Sequence, residues 1–156
     1  MKNLLIYVKQ LEKKPWVFSE TLDKGIVETG AGLPFLTEDI LVSGTAELIG
    51  KTLLVRCAIK TAYSITCARC LETIEKEFST DRFLVNIEIV NQDIIDLTGY
   101  IREDIILGLP AVSLCKKNCK GLCPLCGTNL NKSSCSCMES GEKSDRWSKL
   151  DDLDIK

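Results

Sequence analysis

Residues 38–60 read EDILVSGTAELIGKTLLVRCAIK. Ile40, Val42, Ala46 and Leu48 alternate with Leu41, Ser43, Thr45 and Glu47, the two-residue period of a strand with one wetter face. Gly50-Lys51 supplies a turn, and Leu53, Val55, Cys57 and Ile59 then alternate with Leu54, Arg56, Ala58 and Lys60. Two alternating runs about a glycine turn predict a β-hairpin, and hence an antiparallel sheet. Cys57 falls on the apolar side and is expected to be a buried thiol.

Downstream, the second strand can continue through Tyr63 and Ile65 into Cys67-Ala68-Arg69-Cys70, which places a C-x-x-C pair at a strand end. The next stretch, LETIEKEFSTDRFLVNIEI, is ambiguous: Leu71, Ile74 and Phe78 have helical spacing, yet Ile74, Phe78 and then Phe83, Val85, Ile87 and Ile89 fit two-residue alternation. Its β-branched and aromatic content favours strand. From Asp96 the period becomes helical, with Leu97, Ile101, Ile105 and Leu109 four apart and Pro110 at the exit. The expected helix spans 97–109, with Asp96 or Thr98 as the capping side chain. Upstream, Leu4–Val8 is a short apolar run suited to a strand, Trp16-Val17-Phe18 is another apolar patch, and the Gly25–Pro34 region has loop chemistry.

Six of the nine cysteines lie in Cys115–Cys137, CKKNCKGLCPLCGTNLNKSSCSC. In a Cys-x-x-Cys-Gly knuckle such as Cys123–Gly127, both thiolates can face one ion while backbone N–H groups point at the sulfurs. The glycine supplies the positive φ that the turn needs. Zinc is the usual occupant of all-thiolate sites. With Cys57 set aside, eight ligands remain, and the preferred pairing joins Cys67 and Cys70 with Cys115 and Cys119, and Cys123 and Cys126 with Cys135 and Cys137. The first site would fasten the tail to the sheet and the second would fold the tail on itself. A single site built on Cys123 and Cys126 with two other tail cysteines is the alternative. Iron held as in rubredoxin is a further one, although rubredoxin repeats C-x-x-C-G at both knuckles and here Leu71 follows Cys70. A thioredoxin-like redox pair would need a βαβ unit, and the pattern contains none.

The chain of 156 residues is long enough for one proper core. Its net charge of -2 gives no global basic field to draw it to phosphate. Histidine is absent, which removes the usual triad hydrolases and most catalytic zinc sites, so a structural metal and no enzymatic activity are expected. The start, MKNLLIYVKQ, has too few apolar residues for a signal-peptide core, and no run approaches the roughly 20 needed to span a bilayer. A reduced, cytoplasmic setting then makes clustered C-x-x-C pairs metal ligands rather than disulfides. Lys116, Lys117, Lys120 and Lys132 decorate the cluster, and no acidic residue lies between Cys115 and Cys137. They are candidate phosphate contacts, or else a solvated face that offsets the thiolate charge.

CARCLE at Cys67–Glu72, IDLTGYIREDIILGLPAVSLC at Ile95–Cys115, CKGLCPLCGTNLN at Cys119–Asn131 and DRWSKLDDL at Asp145–Leu153 together resemble the YceD family of large ribosomal RNA subunit accumulation proteins. The resemblance extends from about Phe35 onward. It implies a non-enzymatic factor for accumulation or processing of large-subunit ribosomal RNA and for ribosome assembly. Ribosomal RNA or a ribosomal protein would be the partner, with no membrane and no small-molecule substrate. A rubredoxin-like electron carrier and a zinc-stabilised interaction adaptor are the alternatives. The expected fold is α+β: an antiparallel, partly barrel-like sheet with one packed helix over residues 1–114, a zinc-binding segment at 115–138 holding one or two ions, and a linker with a short helix at 139–156.

Overall fold

The computed structural model describes residues 3–11, 14–30 and 33–137. The expected linker and short helix at 139–156, with Trp147, Leu150 and Leu153, lie outside the described residues. Among the described residues ten elements follow in order: β1 (Leu5–Tyr7), α1 (Val8–Leu11), β2 (Trp16–Leu22), a 3-10 turn (Lys24–Ile26), β3 (Phe35–Leu36), β4 (Ile40–Ile49), β5 (Thr52–Thr66), β6 (Thr73–Glu88), β7 (Ile94–Asp96) and α2 (Thr98–Gly108).

The predicted hairpin is β4–β5, closed by Gly50 at φ 64°, a left-handed conformation that glycine adopts without steric cost. β5 continues past the end of β4, and β6 follows it back along its whole length, from Thr73 opposite Thr66 to Glu88 opposite Thr52. The alternation expected from Ile74 to Ile89 is broken once, between Phe78 and Phe83. Cys57 pairs with Phe83 and Ile59 with Thr80, so Ala58 faces two residues, Asp81 and Arg82, in a β-bulge. The bulge flips the parity of the inward positions from Ile74, Phe78 and Thr80 to Phe83, Val85 and Ile87. Either half alone reads as a strand, and joined without the bulge they do not.

β2 pairs with the free edge of β4, and β3 takes the place along β5 that β4 leaves beyond Lys60. The strands therefore run β2–β4–β5–β6 across the sheet, with β3 extending the β4 row. Among the described residues no pairing joins β2 to β6, so the sheet does not close into a barrel. Closure would need the two outer strands to meet. Instead β1 pairs with β7 in a separate two-stranded sheet, which ties the start of the chain to the approach of α2.

Helix α2 lies one residue inside each expected boundary. Leu97, Ile101 and Ile105 are fully buried in the same core as Leu53, Val55 and Ile59 of β5. Burying each such side chain stabilises the fold by about 1.5–3 kcal/mol. Asp96 Oδ1 accepts from the Thr98 N–H at 2.8 Å, which serves one of the donors that a helix start leaves unpaired. Thr98 lies inside the helix, and its hydroxyl accepts from the Leu4 N–H at 3.0 Å. No helix among the described residues is long and apolar enough to cross a membrane.

Candidate metal centre

Cys67–Glu72 forms the tip of the β5–β6 hairpin. The Cys67 N–H donates to the Glu72 carbonyl at 2.8 Å, and the Leu71 N–H donates to the Cys67 carbonyl at 2.9 Å. The tail knuckle repeats this frame: the Cys123 N–H donates to the Thr128 carbonyl at 2.8 Å and the Gly127 N–H to the Cys123 carbonyl at 2.9 Å. Leu71 and Gly127 both have positive φ, 59° and 75°. The missing glycine after Cys70 therefore does not prevent a knuckle there. Leucine occupies the left-handed position at a cost of roughly 1–2 kcal/mol.

The tail docks on the hairpin tip through its backbone. Ser113 makes a parallel bridge with Cys67, and its carbonyl accepts from the Ala68 N–H at 2.9 Å. The Leu122 N–H donates to the Arg69 carbonyl at 3.1 Å, and the Arg69 guanidinium donates to the Cys119 carbonyl at 3.1 Å. Lys76 of β6 reaches Ser113 Oγ at 2.8 Å. Apart from the cysteines, the residues that make these contacts are far apart in sequence and of types that carry no pairing signal.

This docking brings the cysteines together in two quartets, Cys67/Cys70/Cys115/Cys119 and Cys123/Cys126/Cys135/Cys137, with the sulfurs of each within 4.8 Å of one another. Cys67 and Cys119 sulfurs are 3.9 Å apart, and those of Cys70 and Cys115 are 3.7 Å apart. Four thiolates around zinc with Zn–S bonds of about 2.3 Å have tetrahedral edges of about 3.8 Å. The donor set and spacing fit such an ion. Each quartet draws one knuckle and one looser pair, C-x-x-x-C in the first and C-x-C in the second. The two knuckles do not share a site, as they would around a rubredoxin-like iron.

Hydrogen-bond donors converge on the sulfurs. The Cys115 N–H points at Cys67 Sγ at 3.3 Å, and the Asn131 carboxamide donates to Cys119 Sγ at 3.3 Å while also donating to Asn129 Oδ1 at 3.0 Å. In the second quartet Cys126 Sγ lies 3.1 Å from Thr128 Oγ1. These donors favour the thiolate form that a metal requires. The Cys70 N–H, supported by those of Arg69 and Cys115 against the effect of burial, holds Cys67 down to about 6. The Thr128 hydroxyl and then its N–H hold Cys126 down to about 6. Asn131 and Thr128 are site residues that the sequence reading missed. Their only signal is their closeness in sequence to the Cys123–Gly127 knuckle.

All four lysines, Lys116, Lys117, Lys120 and Lys132, are exposed. Lys132 forms an ion pair with Glu72, which raises the Lys132 pKa and lowers that of Glu72. No acidic residue interrupts the tail, yet the hairpin tip supplies one across the interface. Cys57 is buried beside neither quartet, and burial, with Asp104 adding to it, pushes its thiol up to about 12.

Residues 82–154 match the family model described as "Large ribosomal RNA subunit accumulation protein YceD". The maize protein named "Large ribosomal RNA subunit accumulation protein YCED homolog 1, chloroplastic" is 50% identical over 44 residues, covering 28% of this chain and 15% of that protein. The Arabidopsis thaliana protein of the same name is 42% identical over 43 residues, covering 28% of this chain and 13% of that protein. The chain thus aligns with only a small part of either relative. No solved structure matches. The similarity to the YceD family spans the end of β6, β7, α2 and the six tail cysteines. It begins later than the motifs suggested, so Cys67–Glu72 lies upstream of the matched residues.

Proposed function

We propose that this chain is a non-enzymatic cytoplasmic factor supporting accumulation and processing of large-subunit ribosomal RNA, and through it assembly of the large subunit. Zinc is structural in this reading. One ion joins the tail to the hairpin tip and the other folds the tail on itself. Structural zinc contributes about 10–16 kcal/mol to the folding of small metal domains. The tail from Cys115 to Cys137 has few apolar residues besides its cysteines and needs such a contribution. The observation that carries the functional reading is the YceD match over residues 82–154. The partner is ribosomal RNA or a ribosomal protein, and Lys116, Lys117 and Lys120 are the basic groups available to meet phosphate.

The test is depletion of the protein followed by measurement of ribosomal subunit profiles and ribosomal RNA. The reading expects large-subunit RNA to fall relative to small-subunit RNA. An unchanged large-subunit peak would refute it. The rubredoxin-like carrier is disfavoured because the two knuckles serve different quartets.

A further inference from the structure

The two quartets differ in their surroundings. In the first, Cys67, Cys70 and Cys119 are at most 4% exposed and form a small apolar cluster with Leu114 and Cys115 packed against it. The bridge to Ser113 and the hydrogen bonds of Arg69 fix it to the sheet. In the second, only Cys123 is buried; Cys135 and Cys137 are half-buried and Cys126 is exposed. Pro124, Leu125, Ser134 and Ser136, the neighbours of these cysteines in sequence, are exposed as well. Oxidants select thiolates by access, so two sites of the same ligand type with such unequal cover differ in reactivity.

We propose that the second quartet is an oxidant-responsive metal-release site, with peroxide as the class of oxidant, and that the first quartet stays closed while it reacts. The inference rests on the reading of both quartets as zinc sites. The Cys126 thiolate attacks one peroxide oxygen; an S–O bond forms, the O–O bond breaks, and the departing hydroxide takes a proton from solvent to become water. A second thiolate of the quartet, within 4.8 Å, attacks the sulfenic sulfur. The S–S bond forms, the S–O bond breaks, and a second water leaves with a second proton. Two sulfurs have lost one electron each and the peroxide has gained both. Two thiolates would then remain in that site, too few for the four-ligand shell that holds structural zinc. The fastening of the tail to the hairpin tip involves none of these four sulfurs, so that junction survives the change.

The experiment uses the full chain loaded with zinc. Metal content is measured first. Hydrogen peroxide is then added in steps while a chromophoric chelator reports released zinc and mass spectrometry maps the disulfides. The expected result is two zinc ions per chain at the start, with one released at least about tenfold faster than the other. The first disulfides should lie within Cys123, Cys126, Cys135 and Cys137. Simultaneous release of both ions, or first disulfides involving Cys67, Cys70, Cys115 or Cys119, would overturn the inference and leave the zinc reading standing. A starting metal content near zero would overturn both.

Discussion

Leu71 and Gly127 occupy the same position in two knuckles with the same hydrogen-bond frame, one at φ 59° and the other at φ 75°. Glycine is relaxed there and leucine is strained. At Gly127, which is exposed, an added Cβ meets nothing within 4 Å, so the left-handed backbone dominates the cost of substitution. Gly127→Leu is expected to destabilise the metal-loaded protein by about 1–2 kcal/mol. Leu71→Gly is expected to be nearly neutral, within about 0.5 kcal/mol, because relief of strain offsets the greater freedom of the unfolded glycine. Urea unfolding of the two variants measures the contrast. An equal loss in both would contradict the equivalence of the knuckles.

Gly44 pairs with Cys57 across β4 and β5, and a methyl group there would overlap the Arg56 carbonyl and the Cys57 side chain. Backbone cannot move aside as a side-chain tip can. Gly44→Ala is therefore expected at the upper end of overpacking costs, about 3 kcal/mol. A denaturation midpoint close to that of the wild type would show that the two strands separate more readily than described.

Cys57 differs from the other eight cysteines in having no sulfur partners and in its burial, which moves its pKa from 9.0 to about 12. A raised folded pKa means that the neutral thiol is the stabilised form. Its contribution is complete below 9.0 and is lost as pH rises through about 12. At about pH 8, iodoacetamide is expected to leave Cys57 unmodified in the folded chain and to label it after unfolding. Peptide mapping reads the outcome, and rapid labelling of the native protein would contradict the buried placement.

The sequence made much of this architecture legible. The hairpin about Gly50 and the helix at Leu97, Ile101 and Ile105 are local periodic signals, and the fold keeps both. Two-by-two grouping of eight cysteines is arithmetic on spacing, and the same quartets are adjacent in space. Other features have no local expression. The pairing of Leu5–Tyr7 with Ile94–Asp96 joins opposite ends of the core. The bulge at Asp81-Arg82 shifts the inward positions of one long strand by one residue, and nothing in the sequence marks it. β2 extends to Leu22 through Ser19, Glu20 and Thr21, polar residues that conceal a strand. The left-handed Leu71 was unreadable for a related reason, since leucine gives no sign of that conformation. Lys132 looked available for phosphate because its partner, Glu72, is remote in sequence.

Asn131 connects the two halves of the tail. It donates to Cys119 Sγ, and its carboxamide oxygen accepts from the Lys120 N–H at 3.0 Å. Loss of an outer-shell partner typically costs 10–100-fold in metal affinity. Asn131→Ala is expected to weaken one of the two sites by about tenfold and to leave the other unchanged, as judged by competition with a chelator. Equal weakening of both sites would show that Asn131 supports the tail as a whole rather than the Cys119 thiolate.

The most direct test of the account is the zinc content of the purified full chain beside that of Cys67→Ser. Two quartets, one of them completed by the hairpin tip, predict two zinc ions per chain, falling to about one when Cys67 loses its sulfur. About one zinc per chain in the wild type, unchanged by Cys67→Ser, would contradict the claim that metal fastens the tail to the sheet.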